Sequence, residues 1–212
     1  MKKIRIAIDG TAGSGKTTTA IKLAEKLGYK PIETGAIFRA ITFYIIRENI
    51  DIYNGENLKK ILKKVNIMQE YKEGRIRTFL NGEDVTEKLR EKEVEEKVSL
   101  ISKIKEVREK VYEIERELAI PGIIMEGRDI GTSVLPDAEI KIFLDAKKEV
   151  RAKRRGEDIK EIEKRDKEDM EREISPLKIA EDAIYVDTTN LTIEEQVEKI
   201  YQIIIKKIEN ET

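Results

Sequence analysis

Cysteine and histidine are both absent from the 212-residue sequence. Without cysteine there is no disulfide framework and no thiol nucleophile. Without histidine there is no Ser-His-Asp triad, no phosphohistidine intermediate and no zinc site built from the usual soft or imidazole ligands. Whatever chemistry the chain performs must use carboxylates, lysine, arginine, hydroxyls and backbone groups. An excess of one charge is also missing, since 42 Lys and Arg stand against 43 Asp and Glu and leave a net charge of -1. That balance excludes a chain built as a polycation for nucleic acid, so any anion site must come from local arrangement. No apolar run approaches the roughly 18 residues that a membrane-spanning helix needs, the nearest being Ile203-Ile204-Ile205. The first residues, Met1 to Asp9, start with lysines, but Arg5 and Asp9 interrupt the apolar stretch that a secretory signal requires. The expectation is a soluble, cytoplasmic protein with neither a membrane nor a nucleic acid as partner.

What is present is periodic apolar sequence. At 39% hydrophobic and 40% charged, a chain is folded only if its apolar residues recur at structural spacing, and here they do. Ile4 to Asp9 reads as a short buried strand ending at Gly10. A helix from Lys16 to about Leu27 is stopped by Gly28. An extended piece, Lys30 to Glu33, then leads into a helix from about Gly35 to Arg47. Further buried strands fit Gly122 to Glu126, Ile140 to Asp145 and Ile184 to Asp187, with a last helix from Thr192 to Lys207. Strands spaced by helices predict an α/β fold with a central parallel sheet covered on both faces.

Two segments break this rhythm. Between Asn66 and about Thr86 short alternating runs surround Lys72-Glu73-Gly74 and Asn81-Gly82, which predicts a small antiparallel insertion. Lys147 to Glu173 is nearly all charge around Gly156. Such a segment is expected to bury little surface and to form a mobile helical flap.

Gly10-Thr11-Ala12-Gly13-Ser14-Gly15-Lys16-Thr17 satisfies G-x-x-x-x-G-K-[ST] between a predicted strand and a predicted helix. In that setting glycines let backbone N–H groups turn inward around phosphate oxygens, and the helix N-terminus adds its positive end. Lys16 is placed to meet β- and γ-phosphates, and the Thr17 hydroxyl to hold Mg²⁺. The pattern predicts binding of ATP through Gly10, Thr11, Ala12, Gly13, Ser14, Gly15, Lys16, Thr17 and Thr18. By itself it does not separate kinases from other phosphate-loop proteins.

Three further motifs follow: Glu33-Thr34-Gly35-Ala36-Ile37-Phe38-Arg39, Glu126-Gly127-Arg128-Asp129-Ile130-Gly131-Thr132, and Arg165-Asp166-Lys167-Glu168-Asp169-Met170-Glu171-Arg172 with Pro176-Leu177 just after. Taken with the phosphate loop, in this order and spacing, the sequence resembles the bacterial cytidylate kinases, from Ile6 to the final helix. The resemblance implies a P-loop nucleoside monophosphate kinase fold. One domain over 1–212 would carry a monophosphate-binding insertion at about 35–120 and a lid at about 147–173. It also implies transfer of the γ-phosphate of ATP to CMP or dCMP, with Mg²⁺, by a monomer.

Carried over residue by residue, the resemblance assigns Thr34 and Arg39 to the phosphate and sugar side of the acceptor. Ser99, Arg108 and Asp129 fall to cytosine, and Arg128, Arg165, Asp169 and Arg172 to ribose and phosphate. Lys16, Arg128, Arg165 and Arg172 are the catalytic candidates and Thr17 the metal candidate. Arg165, Asp169 and Arg172, spaced by four and three, are expected on one helix face. Arg128 and Asp129 are expected at the carboxyl end of a strand, where open α/β sheets bind ligands. Arg108 is expected at the rim of the apolar stripe Val107, Val111, Ile114 and Leu118. Thr11, Glu33 and Phe38 stand where proline, aspartate and tyrosine are common in the family. The motif leaves open which lid arginine meets the transferred phosphate. Two other readings remain at this point: a kinase of another small acceptor such as UMP or shikimate, and an ATP-binding regulatory switch.

Overall fold

The β-branched run after Lys3 forms β1 (Arg5–Gly10), the middle strand of a five-stranded sheet. Its neighbours are β6 (Ile123–Gly127) and β7 (Ile140–Asp145), both parallel to it, and β8 (Ile184–Asp187) lies parallel beyond β7. β2 (Lys30–Glu33) is the other edge, giving the order β2-β6-β1-β7-β8. The computed structural model describes residues 3–210. The chain divides into two compact units, Met1–Pro31 with Ala119–Thr212 and Ile32–Leu118, so it leaves the first within β2.

In the first unit, Ile6 and Ile8 of β1, Ile124 of β6, and Ile140, Ile142 and Leu144 of β7 point to one face at the strand period of two. Ala20, Leu23 and Ala24 of α1 (Lys16–Leu27) and Val197, Ile200, Ile204 and Ile208 of α8 (Ile193–Asn210) cover them. Ala7, Met125 and Phe143, on the alternate positions, are also buried. α1 ends as its glycine predicts: Gly28 takes a φ of 67° and donates to Ala24 and Glu25 carbonyls. α8 starts at a capping box, in which Glu195 N–H donates to Thr192 Oγ1 and Thr192 N–H to the Glu195 carboxylate.

The second unit packs α2 (Thr34–Arg47) on α4 (Lys92–Ile101) and α5 (Lys105–Leu118), and α3 (Gly55–Leu62) on α5. Its sheet, β3 (Ile67–Lys72), β4 (Arg75–Leu80) and β5 (Glu83–Asp84), is antiparallel. Glu73-Gly74 and Asn81-Gly82 are its two turns, and all four residues have positive φ. That is the backbone which two-residue hairpin loops require, and it is why both dipeptides end in glycine.

The charged segment behaves differently from its sequence expectation. It forms α6 (Lys148–Arg155) and α7 (Ile159–Met170), and it does bury surface. Ile162 is fully buried with Ala152 and the phosphate-loop residue Ala12, and Arg151, Asp166 and Asp169 are buried as well. Charge count misled here because these charges neutralise one another. Arg108 also departs from expectation. It is 1% exposed, not at the rim, because its guanidinium finds partners inside the second unit.

Candidate active site

β1 ends at Gly10 because nothing larger fits: a Cβ there would stand 2.0 Å from the Leu144 carbonyl oxygen of β7. The chain then loops to the N-terminus of α1. Inside the loop the Thr11 carbonyl accepts from Ser14 Oγ at 3.0 Å and from Lys16 Nζ at 2.8 Å. Lys16 is almost entirely buried, and its pKa falls to about 7. Burial is the main cause and the Arg128 cation adds to it, while Glu126, Asp169 and Asp9 oppose it. Thr17 Oγ1 donates to Glu126 Oε1 at 2.7 Å.

Around Lys16 the first unit gathers several of the residues that the motifs single out. Arg128, just past the carboxyl end of β6, reaches Asp169 Oδ2 with Nε at 2.6 Å and the Gly10 carbonyl with Nη1 at 2.9 Å. Arg172 pairs with the other oxygen of Asp169. Burial would raise the Asp169 pKa, but the two guanidinium groups outweigh it and hold the carboxyl below its ordinary value. The same carboxylate, against the effect of burial, pushes Arg128 up. A buried carboxylate thus aims two arginines that would otherwise repel each other.

Asp129 is buried at the start of an irregular turn over Ile130–Val134. That turn is clamped by Asp9, whose carboxylate accepts N–H groups of Ile130 at 2.8 Å and Gly131 at 2.7 Å. Burial, aided by Asp129, raises the Asp9 pKa to about 7 against the pull of those N–H groups and Lys16.

Arg165 does not join this cluster. It lies on α7 but points to Glu157 at 3.2 Å, a carboxylate that Arg155 also engages. Arg172 is not on the helix at all, since α7 ends at Met170. Of the trio only Asp169 and Arg172 meet: Arg165 shares α7 with Asp169 at a spacing of four but turns to Glu157, and Arg172 reaches Asp169 from beyond the helix end.

The second unit holds its own candidates. Thr34 is buried as the first residue of α2, and Ser99 is half-buried on α4, where its carbonyl accepts from Ser102 Oγ at 3.0 Å. Arg39 meets Glu33 at 3.3 Å and Glu95 at 3.0 Å, and Arg90 shares both carboxylates. Burial, then the Arg90 charge, lowers the pKa of Arg39. Arg108 donates to the Ser102 carbonyl at 3.1 Å and the Tyr112 hydroxyl at 3.2 Å, and its guanidinium lies 5.4 Å from the Phe38 ring. A phenyl ring is thus a cation platform at the position where a phenol is common.

The sequence assigns no role to Glu126, Asp9 or Asp166, and it offers Arg151 only as one of the lid arginines, with Arg154 and Arg155, among which the motif does not choose. The first two carried a usable signal, a carboxylate ending an apolar run at the carboxyl edge of a parallel sheet. Arg151 and Asp166 carried none, lying among many exposed charges.

The chain matches the family described as cytidylate kinase over residues 6–206. It is 48% identical to the protein named cytidylate kinase from Caldicellulosiruptor bescii, with 100% of both chains covered. It is 49% identical to its namesake from Caldicellulosiruptor saccharolyticus over the same full extent. A Bacillus subtilis protein of the same name is 46% identical, with 97% of this chain and 98% of that one covered. A phosphate loop whose lysine sits by Arg128 and by Asp169, the carboxylate that also holds Arg172, within a match that runs over residues 6–206, places the chain in the cytidylate kinase family.

Proposed function

We propose that this protein is an enzyme that transfers the γ-phosphate of ATP to CMP or dCMP, giving ADP and CDP or dCDP. The observation that carries the reading is the Lys16 site, a buried phosphate-loop lysine among arginines set by Asp169, in a chain of this family. An acceptor phosphate is already anionic at neutral pH, so it attacks without a general base and the lack of histidine is no obstacle. One of its oxygens attacks the γ-phosphorus in line, and the bond to the bridging oxygen breaks with its electrons leaving on ADP. What the protein must supply is alignment and compensation of the charge spread over the transferring group.

Lys16 is suited to that task because its pKa near 7 reflects a cation without an adequate counter-charge. An arriving polyphosphate provides one and restores the proton. Thr17 and Glu126 present hard oxygen donors 2.7 Å apart, a set that suits Mg²⁺ shared with substrate phosphates. When bound there, Mg²⁺ would offset charge on the β- and γ-phosphates. In the same proposal Arg128, Asp169, Arg172 and Arg165 serve the acceptor ribose and phosphate, Thr34 and Arg39 its phosphate side, and Asp129, Arg108 and Ser99 its base. Arg165 must leave Glu157 to do so. The lid is the α6–α7 segment, and the acting unit is one chain, for which sedimentation equilibrium should return 24.5 kDa.

The test is product analysis after incubation with ATP, Mg²⁺ and CMP. Equal amounts of ADP and CDP are expected. ADP without CDP would mean hydrolysis, and neither product would leave a nucleotide-binding switch.

A further inference from the structure

The charged segment after β7 puts a buried arginine against the backbone of the phosphate loop. Arg151 is 3% exposed. Its Nε donates to the Ala146 carbonyl at 2.8 Å, and Nη1 to the Ala12 carbonyl at 3.0 Å. Asp166, itself 7% exposed, takes Nη1 at 3.1 Å and Nη2 at 2.7 Å in a two-pronged pair. Asp166 Oδ1 also accepts the Ala12 N–H, at 3.4 Å. Both backbone groups of one loop residue are therefore held by one ion pair. The loop and α6 touch so closely that a Cβ on Gly13 would stand 2.8 Å from the Arg151 carbonyl oxygen.

Peptide planarity turns these contacts into an orientation. In a trans peptide the C=O and the following N–H point in opposite directions. The Thr11 carbonyl faces Lys16 and Ser14, so the Ala12 N–H faces the other way, to Asp166. The next peptide is reversed. Its carbonyl, on Ala12, is held by Arg151, which sends the Gly13 N–H to the side away from Arg151. Gly13, with a φ of 76°, would otherwise let this peptide turn. Thr11, in the position where the family commonly has proline, adds a fixing contact from its hydroxyl to Asp145 at 2.7 Å.

We propose that Arg151 and Asp166 are positioning residues of the phosphate loop. They hold two successive peptides so that the Gly13 N–H is presented to the ATP polyphosphate before it binds. This rests on the reading of the loop as the ATP site. It also separates Arg151 from its neighbours, because Arg154 donates to Thr188 and Arg155 to Glu157, whereas Arg151 donates to a loop carbonyl. A buried ion pair adds little net stability compared with an apolar substitute of similar volume, so its value lies in the geometry it imposes.

The test uses Asp166→Asn, which keeps the volume but loses the charge, and Arg151→Lys, which keeps the charge but loses the fork. Dissociation constants for ATP and CMP are measured separately by calorimetry, with thermal melting as the check of folding. We expect ATP to bind at least tenfold more weakly to each folded variant and CMP to change by less than threefold. Equal weakening of both nucleotides, or none, would overturn the positioning role. So would failure of both variants to fold, because the pair would then serve the fold itself. A parent protein that bound no ATP would instead overturn the reading of the loop as the ATP site.

Discussion

Burial of Lys16 has consequences that can be measured apart from turnover. Its pKa falls from 10.5 to about 7, so between those values the unfolded chain binds the proton that the folded one does not. Stability contributed by this group therefore rises with pH across that window and is lowest below it. Lys16→Met should melt no lower than the parent at pH 7, and any advantage should shrink as pH approaches 10. Phosphoryl transfer should fall by more than tenfold, about 1.4 kcal/mol of barrier. A variant that kept turnover within that factor would remove Lys16 from the chemistry. The same depressed value predicts that ATP binding at pH 8 takes up a proton, because the polyphosphate restores charge to Lys16. Calorimetry in buffers of differing ionisation enthalpy reads the uptake directly, and a result of zero would contradict it. Asp129 is tested by specificity. Cytosine offers an amine at N4 and an acceptor at N3, and uracil offers the reverse, whereas a carboxylate only accepts. Each mispaired buried group costs about 1–3 kcal/mol. Asp129→Ala should hurt CMP far more than UMP and collapse the ratio of their kcat/KM values. An unchanged ratio in a folded variant would mean that Asp129 does not read the base.

Among the elements, the α6–α7 segment is the one whose role the structure most changes. Ile162, the lone fully buried aliphatic of α7, packs on Ala152 and Ala12. Ile162→Ala should cost about 2–5 kcal/mol if that contact forms part of the global core, less if the segment opens independently. Hydrogen exchange of the α7 amides distinguishes the two, with faster exchange confined to α6 and α7 expected in the second case. The other elements were largely legible. β1, α1, β2, β7 and β8 follow from short apolar runs bounded by Gly10, Gly28 and charged residues, and both hairpin turns from Glu73-Gly74 and Asn81-Gly82. The candidate site was legible where motifs fixed backbone geometry, as in the phosphate loop and at Arg128-Asp129. It was not legible where long charged side chains choose among several partners. Arg165 to Glu157, Arg151 to Asp166 and the buried Arg108 are all of this kind. Helical spacing fixes where a Cα lies and leaves five donors of a guanidinium free to turn either way.

For the whole molecule, 42 basic and 43 acidic side chains leave a net charge of only -1, so net charge does not draw anionic substrates in. Selectivity must be built from local groups, such as Arg39 held between Glu33 and Glu95, and Arg128 and Arg172 held by Asp169. Among the described residues no helix is long and apolar enough to cross a membrane. The most direct test of the account is the rate of ADP release from ATP and Mg²⁺ across a panel of CMP, dCMP, UMP, AMP and shikimate, with an acceptor-free control. The account predicts kcat/KM for CMP or dCMP at least a hundredfold above the other acceptors, and almost no ADP without an acceptor. A rate for UMP or shikimate equal to or above that for CMP, or ADP release that does not depend on an acceptor, would contradict it.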